Sequence, residues 1–180
     1  MCDIGFTGTR RGMNSTQKEE FKNLLIRCDP LRTRLHHGDC LGADKDAHDI
    51  ATELGVYTIT HPPTKIEFRA FCKAKHSFPP KDYLTRNRDI AETCDFLVAC
   101  PMTQKETLRG GTWYTVRHAR KIGKQVRILW PKGEKRRFSK SEREGEGKIP
   151  WGDLPQTVDK EKSATPWKKK RVDPPWKGGE

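Results

Sequence analysis

The sequence lacks a long apolar run: no stretch of its 180 residues approaches the roughly 18 apolar residues of a membrane-spanning helix. This absence excludes a spanning segment of the usual kind. The start of the chain, Met-Cys-Asp-Ile-Gly-Phe, also lacks the basic-then-apolar layout of a signal peptide. We therefore expect a soluble, unexported, cytoplasmic protein without a membrane partner.

Cysteine pairs at Cys-x-x-Cys spacing are missing too, although the chain holds six cysteines. Cys40, Cys94 and Cys100 lie in or beside apolar runs, where a free thiol behaves as a small hydrophobic side chain. This pattern favours reduced structural thiols, with a disulfide framework or a zinc site as the alternatives. The sequence predicts no metal site and no cofactor.

The sequence has fewer acidic residues than basic ones. Lys and Arg number 36 against 24 Asp and Glu, which gives a formal net charge of +12. A surface with this balance attracts anions such as nucleotides, nucleic acid or acidic membranes, and the charge alone does not select among them.

The composition changes near Pro131. Before this point apolar runs alternate with amphipathic stretches, and after it come basic, acidic, Gly, Pro and Ser residues with three isolated tryptophans. A segment of the second kind cannot bury a core of its own. We therefore predict one nucleotide-binding domain over residues 1–131 and a disordered, basic tail over 132–180.

The tail has two interpretations. Its end, "TPWKKKRVDPPWKGG", interleaves basic and aromatic residues, a composition that can contact phosphates and stack on bases. Acidic residues elsewhere in the tail dilute this charge, so a solvated tail with no specific partner is the alternative. A nucleic-acid partner, if there is one, is expected to bind here.

Residues 1–131 show alternating strand and helix patterns, with Ser15 or Thr16 as the expected cap of the first helix. Alternation of this kind predicts right-handed crossovers and a doubly wound, Rossmann-like parallel α/β sheet. Ligands of such sheets bind beyond the carboxyl ends of the strands. The expected strands are 3–7, 31–37, 57–61, 96–100 and 125–130, and the expected helices are 15–27 with Phe21, Leu24 and Leu25 inward, 43–54, 82–93 with Leu84, Ile90 and Ala91 inward, and 112–122.

The loop after the first strand has the residues of an anion site. Gly8 lets the backbone approach a ligand, the Thr9 hydroxyl can donate a hydrogen bond, and the Arg10 guanidinium can pair with phosphate oxygens. The loop matches neither the GxGxxG pattern nor the P-loop pattern. An ordinary glycine-containing turn is therefore the alternative.

A second glycine-rich segment, 109–115, opens the last helix. Paired glycines followed by hydroxyl side chains at a helix N-terminus suit a phosphate group. Trp113 or Tyr114 would either stack on a base or pack against the sheet. The phosphate-binding candidates here are Gly110, Gly111, Thr112 and Thr115.

In the sequence between these two glycine-containing segments, "HGDCLGAD" joins the second strand to its helix. Gly38 and Gly42 frame the tight turn of this segment. Asp39 ends the strand, where a carboxylate can bind ribose hydroxyls. Asp44 stands in the first helical turn, as a second ribose ligand or as a helix-dipole partner. Both carboxylates are also the candidate catalytic residues.

One basic residue of the third helix is a further candidate. Arg86 and Arg88 lie two positions apart and so face different sides of the helix. We expect Arg86 to add an anion contact and Arg88 to stay solvated.

Taken together, four segments resemble the SLOG superfamily in their order: "GFTGTRRGM", "HHGDCLGADKDAHDIA", "YLTRNRDIAETCDFLVACP" and "RGGTWYTVRHARKIGKQVRILWP". The resemblance covers nearly all of residues 3–131 and is nearest to the YspA/YpsA-like branch of bacteria and their phages. It implies a Rossmann-like domain that binds nucleotides or ADP-ribose-type molecules. It also implies homo-oligomers, since members often pair.

The lonely-guy phosphoribohydrolases of this superfamily use an arginine and a glutamate in a PGGxGTxxE motif. The comparable stretch here is 110–118, and the place of the glutamate falls on His118. This difference favours a binding module that acts as a sensor, carrier or sequestering protein. The alternatives are an enzyme that cleaves the N-glycosidic or phosphate bond of a nucleotide through Asp39, Asp44, Asp89 or Glu92, and DprA-like binding of single-stranded nucleic acid.

Overall fold

A computed structural model of the chain describes residues 1–131, and the predictions made for 132–180 lie outside the described residues. Residues 1–131 form a six-stranded parallel sheet in the order β4-β3-β2-β1-β5-β6, with four α-helices. This confirms the predicted Rossmann-like α/β fold. The strands are β1 (Cys2–Gly8), β2 (Thr33–His37), β3 (Tyr57–Thr60), β4 (His76–Ser77), β5 (Phe96–Cys100) and β6 (Gln125–Ile128); the helices are α1 (Ser15–Arg27), α2 (Ala43–Glu53), α3 (Tyr83–Thr93) and α4 (Gly111–Lys121).

The order of the strands reverses between β1 and β5. From β1 the chain proceeds outward through β2, β3 and β4, and it then returns by α3 to pair β5 with the opposite edge of β1. At this junction Gly8 lies beside Cys100 in the strand register. A parallel sheet leaves a crevice at such a reversal, beyond the carboxyl ends of the two strands.

Two apolar cores cover the two faces of the sheet. Along β5, Val98 and Cys100 belong to the core under α1 and α2, whereas Leu97 and Ala99 belong to the core under α3 and α4. This alternation follows from the two-residue period of a strand. The predicted inward residues of α1, Phe21, Leu24 and Leu25, are all buried in the first core.

The ends of two helices differ from the sequence-based prediction. Asn14, rather than Ser15 or Thr16, caps α1: its side chain accepts from the Gln17 N–H at 2.9 Å while the Gln17 side chain accepts from the Asn14 N–H at 3.1 Å. Leu84 was expected to point inward but is 43% exposed. It lies in the first turn of α3.

The segment between β3 and α3 holds elements that the sequence pattern missed. A one-turn 3-10 helix spans Ile66–Phe68, and β4 pairs with β3 over two residues. An element of two exposed residues is too short to show a period. Within residues 1–131, none of the helices combines the length and the apolar character needed to cross a membrane.

Candidate functional site

A cleft of about 710 Å³ lies at the reversal of strand order. Its walls are the loop after β1, the first turn of α3, the segment after β5 and the first turn of α4. This volume is within the range of small-molecule sites, about 300 to 1,000 Å³. The cleft is lined by Gly8, Thr9, Arg10, Arg11, Tyr83, Leu84, Pro101, Met102, Thr103, Thr107, Leu108, Gly110, Gly111, Thr112, Trp113, Tyr114 and Arg117.

The N-terminus of α4 faces this cleft without a side-chain cap. Asn14 caps α1, Asp82 caps α3, and the Ala43 N–H at the start of α2 donates to the Thr9 carbonyl at 2.9 Å. The N-cap of α4 is Gly110, which has no side chain to accept a bond, and its φ of 139° suits glycine. The first N–H groups of α4 are therefore suited to bind an anion, with the helix dipole in support.

Arg10 brings a cation to the mouth of the cleft. Its guanidinium carbon lies 3.9 Å from the centre of the Phe68 ring and 6.0 Å from the centre of the Tyr83 ring. Stacking on these rings limits the motion of an otherwise exposed side chain while leaving its N–H groups in the plane of the guanidinium. A phosphate group in the cleft can accept from them.

Arg117 fixes the rim of the cleft. It donates to the Thr107 carbonyl at 3.1 Å and to the Leu108 carbonyl at 2.9 Å, and it pairs with Glu106 at 3.1 Å. These bonds anchor the segment between β5 and α4 to the second turn of α4. Leu108, held in this way, is 91% exposed and presents an apolar side chain at the rim.

Two glycines of the cleft allow unusually close packing. A Cβ at Gly111 would lie 1.8 Å from the Tyr83 hydroxyl oxygen, and a Cβ at Gly8 would lie 2.4 Å from the Cβ of Ala43. Any larger residue would push Tyr83 away from α4, or α2 away from β1. These positions therefore need glycine because of their neighbours.

The structure brings half of the predicted ligand-binding residues together in the cleft, and the other half lies elsewhere. The Thr115 hydroxyl donates to the Gly111 carbonyl at 2.9 Å inside α4, and Trp113 is 5% exposed and packs against Trp130. The predicted residues that line the cleft are Gly8, Thr9, Arg10, Gly110, Gly111 and Thr112; those that do not are Gly38, Asp39, Gly42, Asp44, Arg86 and Thr115.

Asp39 is completely buried and has partners within the protein. Its carboxylate accepts from Arg69 Nε at 2.9 Å and from the Cys72 N–H at 2.8 Å, and its carbonyl accepts from the Ala70 N–H at 2.8 Å. These bonds attach the segment after the 3-10 helix to the end of β2. In this position Asp39 orders a loop and does not reach the cleft.

Asp44 and Arg86 form a second buried group. The Asp44 carboxylate lies 4.0 Å from the Arg86 guanidinium and accepts from the Cys40 N–H at 3.2 Å. Burial raises the pKa of Asp44 to about 6, although Arg86 opposes this shift. The guanidinium of Arg86 also donates to Cys40 Sγ at 3.1 Å and lies 5.0 Å from the Tyr83 ring.

The glycines near this group explain the turn that joins β2 to α2. A Cβ at Gly38 would lie 1.6 Å from an Arg86 nitrogen, and a Cβ at Gly42 would lie 2.3 Å from the Arg10 carbonyl oxygen. Gly42 also has a φ of 92°. These two glycines therefore admit the arginine side chain and the loop after β1.

The described residues that line the cleft include no Asp, Glu or His. Of the other acidic candidates, Asp89 pairs with Lys81 at 2.6 Å and Glu92 pairs with His118 at 3.0 Å. Arg88, expected to be solvated, is exposed and donates to the Tyr114 hydroxyl at 2.9 Å. The site is thus cationic and polar, with no carboxylate or imidazole among its described lining groups.

A separate group of metal-type ligands includes His37, the last residue of β2. His37 Nε2 and His48 Nδ1 are 3.1 Å apart, and the thiol of Cys72 lies beside them. Burial lowers the pKa of both imidazoles, and burial with the nearby Asp39 carboxylate raises the pKa of Cys72 to about 12. All six cysteines are free thiols.

Eleven of the cleft residues were not among the predicted site residues, and Tyr83 and Arg117 are the two of these with the most specific contacts in the structure. Tyr83 directly follows the helix cap Asp82, which places its ring at the carboxyl end of the sheet. The "YLTRNRD" segment signalled this region, but sequence spacing did not distinguish Tyr83 from Arg86. Arg117 lies in the second turn of α4, where a basic residue alone carries no sign of a role.

Comparison with known proteins identifies the fold. No known family model matches the sequence, and no curated protein matches it either. Solved structures do match: the molybdenum cofactor binding protein from Rippkaea orientalis has 22% identity and a TM-score of 0.58, covering 72% of this chain and 77% of that one.

Two further structures have the same fold. The Moco carrier protein from Chlamydomonas reinhardtii has 24% identity and a TM-score of 0.53, covering 71% of this chain and 75% of that one. DNA processing protein A from Helicobacter pylori has 20% identity and a TM-score of 0.56, covering 79% of this chain and 70% of that one. These structures thereby confirm the expected Rossmann-like α/β fold.

Proposed function

We propose that this protein binds a phosphorylated small molecule of the nucleotide or ADP-ribose type in the cleft, and that it serves as a carrier, sensor or sequestering module. The observation that carries the proposal is the combination of an uncapped helix N-terminus with two exposed arginines, Arg10 and Arg11, in one cleft that has no acidic group among its described lining residues. Such a cleft favours an anion by several independent contacts.

The phosphate binds at the start of α4. The N–H groups of Gly111 and Thr112 and the Thr112 hydroxyl supply donors on one side, and the Arg10 guanidinium supplies them from the opposite wall. The rest of the ligand lies against Tyr83 and the apolar rim. This rim is formed by Leu84, Met102 and Leu108.

Binding fits the lining groups better than catalysis does. Cleavage of an N-glycosidic bond needs a carboxylate or another base close to the reacting atoms. Asp39 and Asp44, the two candidates, are buried against Arg69, Cys72, Arg86 and Cys40 rather than open to the cleft. We therefore place the enzymatic alternative second.

Two of the matched proteins are described as binding or carrying the molybdenum cofactor, and one is described as binding single-stranded DNA. A phosphate group is common to nucleotides, to that cofactor and to DNA, so all three classes belong in a binding test. We further propose that the protein is cytoplasmic. We also propose that it forms homo-oligomers, and light scattering of the purified chain would test this second point.

The experiment is a retention assay. The purified full chain is mixed with nucleoside monophosphates, NAD, ADP-ribose, cyclic ADP-ribose isomers, molybdenum cofactor and a short oligodeoxynucleotide, then filtered, and both fractions are analysed by mass spectrometry. Matched nucleosides without phosphate serve as ligand controls. We expect an intact phosphorylated compound to be retained and its dephosphorylated counterpart to pass through.

Other outcomes contradict the proposal in distinct ways. A free base or a ribose phosphate in the filtrate would make the protein an enzyme. Retention of the oligodeoxynucleotide alone would favour the nucleic-acid function. Equal retention of nucleosides with and without phosphate would show that the arginines and the α4 N-terminus do not recognise phosphate.

A further inference from the structure

Three side chains, from a strand, a helix and a loop, converge on one point. His37 ends β2, His48 lies on α2, and Cys72 follows the 3-10 helix Ile66–Phe68. One ligand atom from each lies within 4.8 Å of the other two, and the two ring nitrogens are 3.1 Å apart. Within residues 1–131 this is the one group of His, Cys, Asp or Glu side chains with such a spacing.

We propose that His37, His48 and Cys72 form a site for a zinc-type divalent cation, with a fourth position open to water or an exogenous ligand. Imidazole nitrogen and thiolate sulfur are the ligands that Zn²⁺ prefers, at about 2.0 to 2.3 Å. Tetrahedral bonds of this length place the ligand atoms roughly 3.3 to 3.8 Å apart. The two ring nitrogens, 3.1 Å apart, need no contraction, and a nitrogen–sulfur pair at the 4.8 Å limit would need to contract by roughly 1.3 Å.

The burial of the three residues suits this role. His37 is 0% exposed and His48 is 5% exposed, so both rings are shielded from water, while Cys72 is half-buried and gives an ion a route from solvent. A shielded imidazole is in the neutral form, which is the form that binds a metal. Three ligands on a sheet, a helix and a loop would also tie these elements together.

Asp39 positions the cysteine. Its carboxylate accepts from the Cys72 N–H at 2.8 Å and from Arg69, which fixes the loop that carries the thiol. It also places negative charge close to the cation site. A carboxylate that orients ligand-bearing groups in this way is typical of metal sites.

The protons balance as follows. Without a cation, the His37 and His48 rings share one proton between Nε2 and Nδ1, and Cys72 is a thiol. When the cation binds, the Cys72 proton leaves to solvent and the His37 proton moves to Nδ1. This ends the 3.3 Å hydrogen bond that His37 Nδ1 accepts from the Asp39 N–H. Binding thus releases one proton.

Cobalt provides the test. The full chain, freed of metal with EDTA, is titrated with Co²⁺ alone, which substitutes for Zn²⁺ and has visible absorption in tetrahedral sites. We expect visible bands with a thiolate-to-cobalt band in the ultraviolet, saturation at one Co²⁺ per chain, and loss of both on addition of Zn²⁺. The Cys72→Ser variant should lose the thiolate band, and His48→Gln should weaken binding at least about tenfold.

Matched variants separate this site from other thiols and imidazoles. Cys28→Ser and His76→Gln remove a half-buried cysteine and an exposed histidine elsewhere, and both should keep the full spectrum. In EDTA, Cys72→Ser should show the wild-type circular dichroism spectrum, which excludes unfolding as the cause. Absence of tetrahedral bands in the wild type, or a thiolate band that survives Cys72→Ser, would overturn the proposal. The His37–His48 pair would then be a hydrogen bond of the core.

Discussion

The phenol oxygen of Tyr83 lies against the α-carbon of Gly111 so closely that a Cβ on residue 111 would be 1.8 Å from it. The contact joins the first turn of α3 to the first turn of α4. Because both residues line the cleft, the distance between these two helix ends sets its width. A change at either residue should therefore act on ligand binding.

Gly111→Ala should lower the affinity for ADP-ribose or AMP by about tenfold or more, because the new methyl group displaces Tyr83 or shifts the start of α4. Isothermal titration calorimetry would measure the change. Gly55→Ala is the control, since Gly55, unlike Gly111, has a positive φ (76°) and has no neighbour near its missing Cβ. It should cost stability and leave affinity unchanged. Equal affinity in wild type and Gly111→Ala would show that the contact between Tyr83 and Gly111 does not affect ligand binding.

Arg10→Ala should weaken the binding of phosphorylated ligands by roughly 10- to 100-fold, because a charge-assisted hydrogen bond contributes about 1.5 to 3 kcal/mol. The loss should be smaller at high salt, where the wild type also binds less well. Arg32→Ala, in the exposed 3-10 turn Pro30–Arg32, is the control for net charge. An equal loss in both variants would indicate that charge alone, rather than the position of Arg10, attracts the ligand.

Asp39→Asn should destabilise the protein by about 3 kcal/mol, because an amide leaves the Arg69 guanidinium without its buried charge partner. Asn tolerates the φ of 53° found at this residue, so the backbone itself is not strained. Urea unfolding would measure the loss, with the exposed Asp49→Asn as control. Ligand affinity should not change; loss of affinity without loss of stability would restore the ribose-binding role predicted for Asp39.

Asp44 should give the protein a distinct pH dependence. Because its pKa is raised to about 6 from an ordinary 3.8, the folded state binds the proton more tightly than the unfolded state. The stability that this group contributes is therefore complete below about pH 4 and falls by about 3 kcal/mol as the pH rises through 6.

The measurement for Asp44 compares wild type with Asp44→Asn at each pH, so that other carboxyl groups cancel. The free energy of unfolding of Asp44→Asn, relative to wild type, should rise by about 3 kcal/mol between pH 4 and pH 7. Asp49→Asn, which removes an exposed carboxylate, should show no such trend. A constant difference across this range would mean that the pKa of Asp44 is not raised on folding.

A chain that ends at residue 131 should bind ADP-ribose or AMP with the affinity of the full chain, because the cleft residues named above, all within the described part of the chain, form the proposed site. Calorimetry of both forms would test the proposed domain boundary. Binding of an oligodeoxynucleotide, if the full chain shows it, should be lost with residues 132–180. A large fall in small-molecule affinity would place part of the site in the tail.

The sequence by itself determined the order and type of the long elements. Each of the nine predicted strands and helices is present, and Ser15–Arg27 and Phe96–Cys100 have the predicted bounds. Their apolar period records which face each element buries, and alternation of the two types leaves few topologies other than a parallel sheet. The same argument predicted that the candidate ligand-binding loops lie at the carboxyl ends of the strands.

Only the tertiary structure decided which polar residues face the cleft. Asp39 and Arg10 both follow parallel strands, yet Asp39 turns inward to Arg69 and Cys72 whereas Arg10 stacks on Phe68 at the mouth. These partners lie about 30 or more positions away along the chain, and a carboxylate gives no local sign of where its partner is. The convergence of His37, His48 and Cys72 was invisible for the same reason, because their contact depends on how a strand, a helix and a loop pack together.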